Sequence, residues 1–245
     1  MTKRAVATAV MALSVAALVV VSALVLRAPE DHVVIAPTTT TTRASTTTST
    51  STSTTTAPPP TTAPAASTDV AAAQSRLQAL GYWLNDPAGT FGSSTRHAVV
   101  AFEKVSGLPR DGALTPATLD ALARAARPVP RSAVGHHVEI DRARQVLFVV
   151  TGDRVDWVFD TSTGKRGWTT PAGNFAVTRQ IDGYHRSPLG VLYRPKYFVR
   201  GIALHGYPSV PAFPASHGCV RVVNAAMDFL WSSNTVPVGT PVLVT

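Results

Sequence analysis

One cysteine, Cys219, stands in a chain of 245 residues, preceded by His217 at two residues and by His205 at fourteen. A thiol attacks as its thiolate, so a useful cysteine needs a base or a cation beside it. The two histidines are candidates for that base. Gly218, next to the sulfur, lacks the side chain that would block unusual backbone geometry. It leaves the amides around Cys219 free to face a developing oxyanion. A single cysteine also excludes an intramolecular disulfide. Two other readings use the same residues. A free cysteine is among the most buried residue types and can simply pack. His205, His217 and Cys219 are also three ligand types that zinc accepts, but the chain has neither His-x-x-Glu-His nor Cys-x-x-Cys spacing. The run Ser216-His217-Gly218-Cys219-Val220-Arg221 is polar, holds a glycine and follows a proline-rich loop. That context favours a reactive thiol with no metal.

Such residues need a scaffold. From His136 the hydrophobic period becomes two: HHVEIDR and QVLFVVT read as strands, and Gly152-Asp153 turns into VDWVFDTST. Further short strands are expected around 173–178, 198–204 and 241–244, with one helix at 223–233. This pattern predicts an all-β sandwich or barrel over 135–245. Before it, 69–126 carries three helical segments. Val70, Ala73, Leu77 and Leu80 share one face of the first. Ser93 or Ser94 is placed to cap a second helix, with Ala98, Phe102 and Val105, that stops at Gly107. Thr115 and Pro116 open a third, with Leu119 and Leu122 facing inward.

The segment HGYPSVPAFPASHGCVR, 205–221, resembles the active-site signature of the L,D-transpeptidases. The likeness continues through IDRARQVLFVV, DTSTGKRGWTTPAGNFAV and SPLGVLYRPKYF, and so spans most of 136–232. It implies an all-β domain with Cys219 as nucleophile and His205 as proton acceptor and donor. It places Ser216, His217, Gly218 and Arg221 among the positions that orient the base, shape the oxyanion pocket and hold substrate, and Tyr193 at the entrance. The implied reaction attacks the amide between meso-diaminopimelate and D-Ala in a tetrapeptide stem of peptidoglycan. D-Ala leaves, a thioester remains, and the side-chain amine of a second stem resolves it as a 3→3 cross-link. No cofactor is implied. Water as acceptor would make the same site an L,D-carboxypeptidase; another wall hydrolase or a pure binding protein are the remaining alternatives. Only ten residues separate His205 from Ser216, fewer than in many members of the family, so the loop over the site is expected to differ.

The helical segment LQALGYWLNDPAGTFGSSTRHAVVAFEKVSGLPRDGALTPATLDAL resembles a three-helix peptidoglycan-binding module. Its first turn departs from that pattern, reading Asp86-Pro87-Ala88-Gly89.

The remaining sequence concerns location. Residues 5–26 are uncharged and apolar or small, follow Lys3 and Arg4, and would reach about 33 Å as a helix. Residues 1–35 therefore read as a cytoplasmic tip and signal-anchor helix, with everything beyond it outside. Secretion after signal cleavage is the alternative, although the run ends at Leu26-Arg27 without a small-x-small site. Residues 36–68 are Ala, Pro, Ser and Thr except for Arg43, a composition with too little to bury to offset its ordering entropy. They read as a disordered stalk. The net charge is +8, and 165–200 concentrates seven basic residues against Asp182 alone. An exported, basic chain points to the anionic stems and glycan strands of a cell wall rather than to nucleic acid.

Overall fold

The switch of hydrophobic period near His136 marks a real change of architecture. The computed structural model describes residues 67–245; the expected anchor and stalk lie outside the described residues. Among the described residues no helix is long and apolar enough to cross a membrane. Three helices come first: α1 (Ser67–Ala79), α2 (Ser93–Ser106) and α3 (Pro116–Arg124). Ten strands and one more helix follow: β1 (His136–Asp141), β2 (Val146–Thr151), β3 (Arg154–Asp160), β4 (Gly173–Ala176), β5 (Arg179–Gln180), β6 (Tyr184–Ser187), β7 (Gly190–Val199), β8 (Ile202–Gly206), β9 (Val220–Val222), α4 (Asn224–Ser232) and β10 (Pro241–Val244).

The strands form two sheets, β3-β2-β1-β10-β4 and β5-β7-β8-β9, with β6 paired to β7. Inward residues of both sheets meet in one core: Val138, Ile140, Leu147 and Val149 from the first, Phe198, Leu204, Val220 and Val222 from the second, and Met227 and Leu230 from α4. This is the sandwich expected from the period-two runs. The long β6–β7 hairpin and the short β5 and β9 are additions to that expectation.

The ends of two helices behave as read. Gly107 closes α2 at φ 70°, and the Thr115 hydroxyl accepts from Thr118 N–H at 3.1 Å at the start of α3. The start of α2 differs. Ser93 is already helical, the cap position is Gly92, and neither serine caps it. Instead the Asp86 carboxylate reaches across from the preceding loop and accepts from Thr95 N–H at 2.6 Å. Ser94 is turned the other way, its Oγ accepting from the backbone of Asn85 and Asp86 at 2.9 Å. The displaced aspartate of the first turn is therefore a helix cap, which suits the positive end of the α2 dipole.

The helices are not a separate bead. Leu77, Val99, Phe102 and Leu122 share a hydrophobic cluster with Val146, Phe148, Val155 and Val158 of β2 and β3. The turn after α1 zips onto the outer strand β3: Trp83 N–H donates to Val158 O at 3.1 Å, and Val158 N–H to Gly81 O at 2.8 Å. Trp83 then stacks on Phe159 inside the sandwich core. The docked turn covers an edge that would otherwise be open. At the same boundary Lys104 of α2 is fully buried, donating to Asp160 and to the carbonyls of Gln145 and Thr161 at 3.0 and 2.9 Å. The connection between helices and sandwich is tied down as well. Arg127 donates to Val155 O and Ala79 O at 2.8 and 2.7 Å, and Glu139 accepts from Arg131 and Ser132 N–H at 3.0 and 2.8 Å.

Candidate active site

β8 and β9 run parallel, pairing Leu204 with Val220, His205 with Arg221 and Gly206 with Val222. Side chains alternate along a strand, so the core takes Leu204, Val220 and Val222, and His205 and Arg221 share the opposite face. Cys219 lies immediately before β9. A cavity of about 490 Å³ opens there, lined by His205, Ser216, His217, Gly218, Cys219 and Arg221 together with Trp168, Leu189, Ile202 and others. Strand pairing thus brings His205, fourteen residues away in sequence, to the cavity of the only cysteine.

Tyr193 does not line it. Its hydroxyl donates to Asp228 at 2.7 Å, and its ring borders a neighbouring hollow of about 320 Å³ with Tyr184, Tyr207 and Asn224. Tyr193 therefore lies beside the expected entrance rather than in it.

His205 is 4% exposed, and its Nδ1 sits 2.9 Å from the Gly206 carbonyl oxygen. A carbonyl only accepts, so Nδ1 carries the proton and Nε2 is left as the acceptor. Burial, with a smaller contribution from the Arg221 charge, lowers the pKa of His205 to about 4 despite the bond to Gly206. Burial pushes the Cys219 thiol up, against the backbone hydrogen bond from Ala203 and the charge of Arg221. Burial thus favours the neutral thiol and the neutral imidazole over a thiolate and an imidazolium. The Gly206 carbonyl that fixes the His205 tautomer and the amide of Ala203 are backbone groups, so residue types could not reveal them.

A pH dependence follows. With His205 as the base its neutral form is the competent one, and the acid limb of kcat/KM is then expected near pH 4, not near the ordinary histidine value of 6.5. The folded pKa lies below the unfolded one. The stability that neutral burial confers, roughly 3 kcal/mol, is therefore present above about pH 6.5 and is lost as pH falls through about 4. Titration of the His205 ring by NMR checks both; a midpoint above pH 6 contradicts them.

The backbone at the thiol is held by hydroxyls. Ser216 Oγ accepts from Gly218 N–H at 3.1 Å and donates to the Cys219 carbonyl at 2.5 Å. Gly218 adopts φ 111°, a region closed to most side chains. The Gly218 amide is thus occupied, which corrects the expectation that the amides around Cys219 are all free. Ser216 fixes main chain, while the Gly206 carbonyl orients His205. The His217 ring stands edge-on to Trp168 at 5.0 Å, forming one wall of the cavity. Arg221 lays its guanidinium 4.1 Å from the Tyr207 ring centroid, and its Nε is buried without a partner. A cation with an unspent donor beside the thiol suits a substrate carboxylate.

The basic run of 165–200 is dispersed rather than gathered. Arg194 pairs with Asp182 and Asp228 at 2.8 Å, and Lys196 is buried against Gln180 and Trp231. Of that run only Arg200 borders the cavity.

Known proteins resemble this chain in sequence and fold. The YkuD profile, described as "L,D-transpeptidase catalytic domain", matches residues 135–244, and one described as "Putative peptidoglycan binding domain" matches 66–122. The chain is 30% identical over 128 residues to "Putative L,D-transpeptidase YqjB" of Bacillus subtilis (strain 168), covering 44% of this chain and 70% of that protein. It also resembles a crystal structure of the L,D-transpeptidase from Xylanimonas cellulosilytica DSM 15894, with 45% identity and a TM-score of 0.71 over 78% of this chain and 100% of that one. With its catalytic-domain region and its helical region both matched, and a curated relative 30% identical over 70% of that protein's length, the chain belongs to the L,D-transpeptidase family.

Proposed function

We propose that this protein is a peptidoglycan L,D-transpeptidase that forms 3→3 cross-links through a thioester on Cys219. The observation that carries this reading is the shared cavity of Cys219 and His205, with Nδ1 of the histidine committed to Gly206 and Nε2 left to take a proton. As Sγ attacks the stem amide, the thiol proton passes to Nε2 and the carbonyl π pair moves onto oxygen. Collapse restores the carbonyl and expels D-Ala, whose amine takes the proton back from Nε2. The diaminopimelate amine of a second stem then resolves the thioester by the same steps in reverse. Arg221 would hold a stem carboxylate, and the walls formed by Trp168 and His217 would bracket the peptide.

Residues 69–126 would hold peptidoglycan, while the apolar segment 5–26 and the stalk 36–68 would tether the enzyme at the outer face of the membrane, within reach of the wall. The purified protein incubated with a disaccharide-tetrapeptide tests the reading by mass spectrometry. A cross-linked dimer with loss of D-Ala supports it. Monomer lacking D-Ala supports the carboxypeptidase alternative instead, and unchanged substrate rejects both.

His205→Ala is expected to lower kcat/KM by about 10²–10⁴-fold, the usual worth of a positioned base. His217→Ala removes only a wall of the cavity and should act mainly on KM. The reverse ranking in steady-state kinetics would exchange the two roles.

A further inference from the structure

Thr170 lies between β3 and β4, fully buried, and its hydroxyl joins two stretches of main chain. Oγ1 accepts from Gly164 N–H at 3.0 Å and donates to the Gly218 carbonyl at 2.7 Å. The hydroxyl has one proton. The Gly164 amide supplies its own, and a carbonyl only accepts, so the Thr170 proton lies toward Gly218. In a trans peptide the C=O and N–H point in opposite directions. A Gly218 carbonyl drawn back to Thr170 therefore turns the N–H of the same peptide, that of Cys219, away from Thr170. The neighbouring groups are already committed: Gly218 N–H to Ser216 Oγ, and the Cys219 carbonyl to the Ser216 proton. The close approach is built in from the other side too, since a side-chain carbon on Gly164 would fall 1.9 Å from the Trp168 carbonyl oxygen.

We propose that Thr170 is a positioning residue for the oxyanion: through the Gly218 carbonyl it aims the Cys219 amide at the oxygen of the carbonyl under attack. The proposal rests on the reading of Cys219 as nucleophile. In the step it serves, the Sγ–C bond forms, the carbonyl π pair becomes an oxyanion facing Cys219 N–H, and the thiol proton goes to His205 Nε2. When the π bond re-forms, the C–N bond breaks and the amine leaves with that proton. Thr170 itself exchanges nothing; it fixes a dipole before the charge develops.

Two reactions of the full-length protein separate this role from a general support of the fold. Acylation of Cys219 by a carbapenem passes through an oxyanion, whereas alkylation by iodoacetamide displaces iodide and does not. Thr170→Val removes the proton donor while keeping the bulk. It should acylate about 10–100-fold more slowly, given what an oxyanion donor is worth, yet alkylate at the wild-type rate. Thr170→Ser, which restores the hydroxyl, should recover acylation. Unchanged acylation in T170V overturns the proposal, and so does a parallel loss of both reactions. Should T170V not fold, the crystal structure of the wild-type acyl adduct decides. An acyl oxygen bonded to Cys219 N–H with the Thr170–Gly218 bond kept supports the assignment, and an oxygen placed elsewhere overturns it. Wild-type protein that takes neither reagent at Cys219 instead removes the nucleophile reading itself, and the proposal with it.

Discussion

Cys219→Ala should abolish turnover while leaving the fold unchanged. The sulfur is the sole thiol, borders the cavity that holds His205, and packs only loosely, against Leu192, Tyr197 and Ala203 at the edge of a small cluster. Trading it for a methyl removes one polarizable atom from a half-buried place, a change worth about 1 kcal/mol or less of stability. The chemical loss is of another order, because the thiol is the proposed site of the acyl bond and the cavity's hydroxyls are much weaker nucleophiles. Carbapenem mass addition should be seen in the wild type and be absent in C219A, with superimposable far-UV circular dichroism. Cross-linking by C219A at more than a trace of the wild-type rate, or inhibition by chelators but not by thiol alkylation, would reject the thiol mechanism.

The second large effect is on stability. Lys104→Met should lower the free energy of unfolding by about 3–5 kcal/mol, because it strips the ammonium from a buried carboxylate. Asp160 would keep only His97, whose Nδ1 lies 2.6 Å from Oδ2, and the Gln145 and Thr161 carbonyls would each lose a donor. For a folded part of this size the midpoint should fall on the order of 10 °C. Because helices and sandwich share one hydrophobic cluster, helical and sheet signals should be lost together in one transition. A drop of only a degree or two, or a helical signal that melts separately, would show that the lysine and the boundary around it matter little.

The candidate pair, Cys219 and His205, was legible in sequence because chemistry restricts residue type, and the fold brings both to one cavity. A lone cysteine near two histidines and a glycine has few uses, and strands β1 to β3 announce themselves by short β-branched and aromatic runs bounded by turn residues. What stayed hidden is non-local. Thr170 reads as an ordinary loop threonine until the fold sets it against Gly218, 48 residues away. Lys104 sits on an amphipathic helix where a lysine normally faces water, and only β3 turns its surroundings into an interior. Tyr193 was expected at the entrance from the family resemblance, but Asp228 of α4 holds it to one side. The β6–β7 hairpin lacked a clear alternating run, its residues being half-exposed and β7 interrupted by Arg194 at φ 48°.

The zipped turn at Gly81–Trp83 has a mechanical meaning. A module on a loose cord lets its enzyme sample every stem within a sphere of radius set by the cord. Here the helices and the thiol form the two jaws of a caliper whose opening is fixed by Trp83, Lys104 and Arg127. If the helices clasp a glycan strand, the thiol stands at one offset and one azimuth from it. If stems project from the strand at regular intervals, such a tool would visit only those whose phase matches its opening. Spacing along the strand would then be set by the rigidity of the protein, before any preference of the cavity for peptide chemistry comes into play.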